Sequence, residues 1–501
     1  MELTLELREE SGLQWVLERL TPMSPFGRAA ARSLRWYGPG DEAALETELD
    51  NVALALELWN AGGAAPSQEE APCCCTAPRL DPSTLKDIPS LLRGLTRCLP
   101  LFHDIRGSLD RDPENPFDLV ELFEVKHFLV TLEQLTMAYA KLPPFQDLAF
   151  VPMEESLDLL DPDGRRLPAF SVSETYHPDL PALRAEKAAL ERSIRAASGE
   201  EEKAALLDQR HRLTVREDLL ELEVRRDLTR RLMARRADFL ANMEALGRLD
   251  LFLAKAKLSK RYGCVRPALS DDARITLRGL RHPQVAEELL ERGEDFTRLE
   301  LVLSAGCTVI TGANMGGKTV SLRSTVLSLL LCQCGFFVFA ESAALPLFHE
   351  VALILADTGP GSGGLSSFGR EVHLLDRLLQ RTRGRRFFLA LDEFARGTNP
   401  QEGAALARAL VRYLGTLDCV ALMTTHYDGV SDVAGAHYQV AGLVREIQGD
   451  EGDDPRSRIA RRMDYRLQSA PPGAPCPRDA LRVCRLLDLE PALMDLFQAD
   501  L

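Results

Sequence analysis

The run Gly312-Ala-Asn-Met-Gly-Gly-Lys-Thr319 constrains this chain more than any other stretch. It follows the apolar segment CTVIT and opens Val320 to Leu331, which reads as a helix. Glycines at such a junction let the backbone curl, so that successive N–H groups and the helix N-terminus face an anion. A strand, a glycine-rich loop of this spacing and a helix, in that order, describe a phosphate-binding P-loop. The cradle comprises Gly312, Asn314, Met315, Gly316, Gly317, Lys318, Thr319 and Val320. Lys318 is placed to reach the β- and γ-phosphates, and the Thr319 hydroxyl to ligate Mg²⁺. A plain Gly-rich turn needs neither the lysine nor the flanking strand and helix.

Two further segments fit such a loop. Phe387-Phe-Leu-Ala-Leu-Asp392-Glu393 is an apolar strand of the kind buried on both faces, ending in two carboxylates. Alone, an apolar run ending in Asp-Glu is common. Downstream of a P-loop, Asp392 is expected to hold the Mg²⁺ and its water shell and Glu393 to polarise the attacking water. The third segment is Thr424-Thr425-His426, closing the apolar run CVALM. A lone histidine is more often a satisfied packing residue. Beside the other two motifs, His426 reads as a sensor of the γ-phosphate or its water, and catalysis is assigned to Lys318, Glu393 and His426.

The rest of the chain is consistent with a large soluble machine. At 501 residues it exceeds one core, and 45% hydrophobic with 27% charged residues is ordinary for globular proteins. The opening MELTLELREE carries acids where an export signal needs a basic start, so a cytoplasmic location is expected. The nearly apolar window Val326 to Ala340 is short for a membrane span and reads as a buried helix running into a buried strand. The cysteines, Cys73-Cys74-Cys75 and Cys332-Gln333-Cys334 included, lack metal-ligand spacing and read as reduced thiols. A net charge of −15 argues against a broad non-specific grip on nucleic acid, although segregated charge leaves DNA binding open.

Residues 1 to 57 read as helical, with Leu13, Val16, Leu17 and Leu20 at amphipathic spacing and a break at Thr21-Pro22. A linker spans Asn60 to Ser83, and helices resume from Leu85 to Leu142 around a loop at 113–117. Leu183 to Ala197 and Ala204 to Leu249 form a charged pair of helices turning at Ser198-Gly199. Leu228, Leu232, Phe239, Met243 and Leu246 supply the seam expected of an antiparallel coiled-coil hairpin. Arg225, Arg226, Arg230, Arg231, Arg235 and Arg236 are spread around the helix, which fits a solvated face better than a phosphate-binding stripe. After Arg266-Pro267, LELVLS, CTVITG, GFFVFA, VALILA, RRFFLALDE and CVALMTTH alternate with helices, the texture of a mostly parallel sheet. GDEGDDPRSR reads as an acidic surface loop, APPGAPCP as a second linker, and Arg478 to Leu501 as closing helices.

These motifs resemble those of the MutS family. GANMGGKT is similar to GPNMGGKST, DEFARGTNPQEG to DEIGRGTSTYDG, and TTHY to ATHY. GLRHPQV (279–285), FVFAESA (337–343) and LSSFGREV (365–372) are similar to GRHPVV, FVPAESA and STFMVEM of that family, in the family's order. More diffusely, segments 21–56, 215–228 and 248–269 resemble its core or lever helices. The resemblance implies ATP with Mg²⁺ as cofactors and a homodimer with composite sites. In it, Ser366 or Ser367 of one subunit completes the other's site near the γ-phosphate, although by itself GSGGLSSFG reads as a flexible loop. ATP would clamp the ATPase domains together and move the helical levers.

The sequence also departs from the family. The core-like segment starts almost at Met1, so the mismatch-reading wedge and connector domains are expected to be missing. Only SGEEEKAALLDQ (198–209) stands where the family has a DNA-holding clamp, and an acidic tip is a poor phosphate grip. The nuclease-like tail of another family branch is likewise expected to be missing. Ala313 and Ala395 replace family residues without touching phosphate or metal ligands. The expected fold is therefore an all-α core or lever (1–180), a coiled-coil arm with its return helices (181–270), and a P-loop α/β ATPase and dimerisation domain (271–501). The expected function is an ATP-gated dimeric clamp hydrolysing ATP, acting on DNA in mismatch repair, recombination or at junctions. The alternative is ATP-driven remodelling of a partner metabolic enzyme without DNA.

Overall fold

The computed structural model describes residues 3–61, 88–112, 114–167, 169–312, 317–355, 367–443, 463–476, 480–487 and 489–499. The expected linker at 60–83 and the acidic loop GDEGDDPRSR fall mainly or wholly outside these residues. The N-terminal part is helical: α1 (Leu5–Ser11), α2 (Leu13–Glu18), α3 (Pro25–Arg32), α4 (Glu42–Ala61), α5 (Ile88–Cys98), α6 (Arg106–Leu109), α7 (Leu119–Tyr139), α8 (Glu154–Leu160), α9 (Leu180–Ala196), α10 (Glu200–Met233) and α11 (Arg236–Tyr262). Local chemistry sets several boundaries. Asp118 and Glu121 form a reciprocal capping box at the start of α7, and Gly263 ends α11 in the left-handed conformation. Phe26, Phe102, Phe128 and Phe239 interlock edge-on or tilted in the core between α3, α7 and α11.

The helical pair around residue 198 differs from expectation in extent. α9 and α10 run antiparallel, because Arg184 pairs with Glu217 and Glu221 while Arg210 reaches back to Glu191. The second arm is not one helix: the chain leaves the helix at Ala234 and Arg235 before α11 begins. Leu228, Leu232, Phe239, Met243 and Leu246 lie beyond the reach of α9 and are buried in the main core, so they form no hairpin seam. Within α9 and α10 Leu180, Leu183 and Val224 are buried, and Arg184 and Lys187 pair with the buried Glu217. Most of the arginines in question have partners within the chain: Arg225 on Phe117 O, Arg230 and Arg231 on Asp227, Arg235 on Asp238, and Arg236 on Asp110 and Leu109 O.

The C-terminal part alternates strands and helices: β1 (Ala268–Leu269), β2 (Ile275–Leu280), α12 (Pro283–Glu291), β3 (Leu299–Leu303), β4 (Gly306–Thr311), α13 (Lys318–Gln333), β5 (Ser342–Leu345), β6 (Glu350–Ile354), α14 (Ser367–Arg381), β7 (Phe387–Leu391), α15 (Pro400–Leu414), β8 (Cys419–Thr424), β9 (Ala436–Leu443), β10 (Met463–Ser469), α16 (Ala480–Leu486) and α17 (Pro491–Ala499). Among the described residues a small sheet has the order β1-β5-β2-β3 and a larger one the order β10-β9-β4-β8-β7-β6. In the larger sheet β9, β4, β8, β7 and β6 run parallel, and β10 closes the edge antiparallel. The expected strand GFFVFA is instead buried irregular chain joined to Val265 by one bridge at Val338. No described helix is long and apolar enough to cross a membrane.

Helix α13 is buried almost all round. Its serine and threonine hydroxyls survive burial by donating to the carbonyl four residues back, as Ser321 does to Gly317, Ser324 to Val320, Thr325 to Ser321 and Ser328 to Ser324. At its far end Gln333 donates to Tyr37 O and Phe348 O and accepts Phe348 N–H, while Tyr37 N–H donates to Gln333 O. The helix that begins at the glycine-rich loop is thus hydrogen-bonded at its end to the N-terminal helical part.

Candidate active site

Three strands deliver the motif residues to one edge. β4, β7 and β8 are buried throughout and parallel, so their carboxyl ends point the same way. The register places Ile310 opposite Thr424 and Leu391 opposite Met423, which levels the three ends. The crevice beyond the carboxyl ends of a parallel sheet is where α/β folds hold ligands. β8 stands between the strand of the glycine-rich loop and the strand of the two carboxylates.

At the end of β4, Gly312 takes a φ of +147°, and a Cβ there would stand 2.9 Å from Val440 Cβ. Only glycine fits that approach. Gly317, at φ +80°, forms the N-cap of α13. Lys318 is buried, and its Nζ donates to Gly312 O at 2.7 Å and lies 3.4 Å from Glu393 Oε1. Thr319 Oγ1 donates to Asp392 Oδ2 at 2.8 Å. Val320 is half-buried in the first turn of α13. Asn314, Met315, Gly316 and Ser366 fall outside the described residues. Ser367 starts α14.

At the end of β7, Asp392 accepts a second hydroxyl, from Thr424 Oγ1 at 2.7 Å, and that same oxygen accepts Glu393 N–H at 2.9 Å. Glu393 is buried, with its other carboxylate oxygen 2.8 Å from Arg396 Nη1. His426 is exposed beside the Tyr427 ring. Partial burial holds its pKa below the ordinary histidine value, with Glu393 pulling it up and Lys318 and Arg396 pushing it down. The imidazole is therefore neutral at neutral pH, able to donate from one nitrogen and accept on the other.

The arrangement gathers Gly312, Gly317, Lys318, Thr319, Asp392, Glu393 and His426, which are scattered over more than a hundred positions of the sequence. A hydroxyl and a carboxylate oxygen 2.8 Å apart are hard donors that fit Mg²⁺. A helix N-terminus and a buried ammonium fit phosphate oxygens. Motif reading did not assign site roles to Thr424, Glu371, Tyr427 and Arg396. Each lies inside a quoted motif (TTHY, GREV, ARGT), but only the fold shows what it touches.

The model of MutS domain V matches residues 308–461, which include every site residue just described. Endonuclease MutS2 of Levilactobacillus brevis is 32% identical over 227 residues, 44% of this chain and 27% of that protein. Endonuclease MutS2 of Acetivibrio thermocellus is 35% identical over 193 residues, 37% of this chain and 23% of its own length. DNA mismatch repair protein MutS of Thermus aquaticus is 36% identical over 212 residues, 42% of this chain and 25% of its own length. The match thus spans about a quarter of the length of these curated relatives. With the glycine-rich loop, the paired carboxylates and the TTHY strand end converging on the segment that these comparisons match, residues 308–461 of this chain belong to the MutS domain V family.

Proposed function

We propose that this chain is a MutS-like ATPase that hydrolyses ATP to ADP and phosphate within an ATP-gated homodimer and acts on DNA. The observation that carries the motor is the convergence of Lys318, Thr319, Asp392 and Glu393 within hydrogen-bond or ion-pair reach at the N-terminus of α13. Lys318 now bonds Gly312 O and faces Glu393, two partners that phosphate oxygens would replace. Thr319 and Asp392 would hold Mg²⁺, which would supply charge neutralisation on the phosphates. Glu393 accepts the proton of the attacking water, and neutral His426 contacts that water or the γ-phosphate. Ser366 or Ser367 of a second copy completes the site. In this reading 1–180 is the helical core, 181–270 the arm and its return, and 271–501 the P-loop ATPase and dimerisation domain, in a cytoplasmic protein.

The DNA part rests on the names of the relatives, "DNA mismatch repair protein" and "Endonuclease". One observation favours a protein partner instead. The hairpin tip presents Glu200, Glu201 and Glu202, all exposed, where a DNA grip needs positive charge. The deciding experiment is the ATPase rate without nucleic acid and with linear duplex, four-way junction or single strand at two salt concentrations. Several-fold stimulation that fades with salt supports the DNA reading. A flat response without complex formation overturns it and leaves the motor standing. Absence of turnover in folded protein with Mg²⁺ overturns the motor.

A further inference from the structure

The turn after β7 adopts a conformation that its residues disfavour. Glu393 has φ +46° and Ala395 φ +65°, both in the left-handed region, and neither has glycine's freedom. Such a turn persists only when its surroundings determine it. Ala395 is held at both backbone groups. Its N–H donates to Glu371 Oε2 at 3.0 Å, and its carbonyl accepts Tyr427 Oη–H at 2.9 Å. Glu371 comes from α14 and Tyr427 from just beyond β8, so the grip closes from opposite sides. Gly403 of α15 leaves the space: a Cβ there would stand 2.5 Å from Tyr427 Oη and 2.9 Å from Ala395 O.

Glu371 is 4% exposed, and packing alone would be served better by leucine, since a buried carboxyl is costly unless hydrogen-bonded. Burial pushes its pKa up, and the Ala395 N–H pulls it down. In either protonation state a carboxyl oxygen remains to accept that N–H. The hydrogen bond of Glu371 is to Ala395 N–H, so its effect falls on the turn.

We propose that Glu371 and Tyr427 are positioning residues, which grip Ala395 by its N–H and carbonyl and thereby lock the left-handed turn that aims the Glu393 carboxylate. The inference rests on the reading of Glu393 as the water-activating group. It separates the roles within the site. Lys318, Thr319 and Asp392 bind, and the Glu371–Ala395–Tyr427 clamp sets only the rate.

The test measures Mg²⁺-dependent ATP hydrolysis, ADP binding and thermal midpoint on the full chain. The variants are Glu371→Ala, Glu371→Gln, Tyr427→Phe and the double Glu371→Ala/Tyr427→Phe. Glu371→Ala is expected to lower kcat roughly 10- to 100-fold, the scale for a misplaced catalytic group, with KM and ADP affinity unchanged. Glu371→Gln retains the acceptor and is expected to restore kcat to within about twofold of wild type. The double variant is expected to fall less than the product of the singles, because both act on one residue. Wild-type turnover in Glu371→Ala, equal impairment in Glu371→Gln, or joint loss of ADP binding and thermal midpoint would each overturn the clamp. Glu393→Ala and Lys318→Ala, run alongside, keep the two levels apart. If both are inactive while Glu371→Ala is fast, only the clamp fails. If folded wild type neither binds nor hydrolyses ATP, the active-site reading fails and the clamp falls with it.

Discussion

Thr319 and Asp392, 73 positions apart, share a hydrogen bond of 2.8 Å from Oγ1 to Oδ2. Asp392 takes a second hydroxyl from Thr424, so its carboxylate is oriented before any cation arrives. Preorganised oxygens cost little to recruit. Asp392→Asn keeps the size and one acceptor oxygen but removes the charge. Turnover at low Mg²⁺ is expected to fall at least about tenfold, with partial recovery as Mg²⁺ is raised. A Mg²⁺ titration of the ATPase rate checks this, and an unshifted midpoint would count against Asp392 as the metal-holding group.

Lys318 and Glu393 face each other at 3.4 Å yet should fail differently. Lys318→Ala removes the ammonium that meets phosphate, so nucleotide binding itself should weaken. Glu393→Ala removes a proton acceptor and should cut kcat by about 10²- to 10⁴-fold while ATP still binds. That variant should also trap the closed dimer in ATP. Calorimetric binding together with sedimentation in ATP distinguishes the two. Hydrolysis by Glu393→Ala at the wild-type rate would remove Glu393 from the mechanism.

Much of this site was legible because its chemistry sits in contiguous motifs. The glycine-rich loop needs neighbours in sequence, since backbone N–H groups and a helix start must follow one another. The strands β4, β7 and β8 announced themselves as apolar runs, as parallel buried strands do. What stayed hidden depends on distance in space. Nothing in GREV says that Glu371 reaches Ala395, 24 positions on. Likewise the run from Leu228 to Leu246 has helical spacing that suits a hairpin seam and a core helix equally. The break at Ala234 and Arg235, with tertiary packing around Phe239, decided for the core. GFFVFA is β-like in composition, but it meets a strand partner at only one bridge.

His282 and Glu10 make opposite contributions to the pH dependence of stability. His282 is 3% exposed, and its pKa is pushed down to about 4 from an ordinary 6.5, chiefly by burial, with Arg323 also lowering it and Ser11 O and Glu288 raising it. Its neutral form is the folded form. The stability it protects is complete above pH 6.5 and is lost as pH falls toward 4, by up to about 3 kcal/mol. Glu10 is pushed up from 4.5 to about 7, chiefly by burial, with Glu6 and Glu9 also raising it and Arg323 lowering it. Its stabilising contribution is complete below pH 4.5 and is lost as pH rises through 7. Between pH 4.5 and 6.5 the two slopes oppose each other. Glu10→Gln should therefore unmask a fall in stability on acidification from pH 6.5, and His282→Asn a fall on raising pH toward 7. Urea midpoints measured from pH 4.5 to 7.5 read both, and parallel profiles in wild type and variants would refute the assignment.

Lys255 of α11 is 1% exposed and is held at three points. Its Nζ lies 2.7 Å from Glu48 Oε1 on α4, donates to Cys334 O at 3.0 Å just past α13, and stands 4.6 Å over the Phe336 ring. Gly335 makes room, since a Cβ there would meet Glu48 Cγ at 2.4 Å. A charge at this depth is tolerable only while its partners remain. Lys255→Met leaves Glu48 without its counter-charge and Cys334 O without its donor, so a loss of about 3–5 kcal/mol is expected. Replacing both partners, as in Lys255→Met/Glu48→Leu, removes the stranded carboxylate and should recover much of that loss, because a well-packed apolar pair often matches a buried ion pair. Urea denaturation of wild type, both single variants and the double gives the coupling energy directly. A double variant no more stable than Lys255→Met would show that the ammonium's bond to Cys334 O, and not its pairing with Glu48, is what ties the end of the P-loop helix to the helical part.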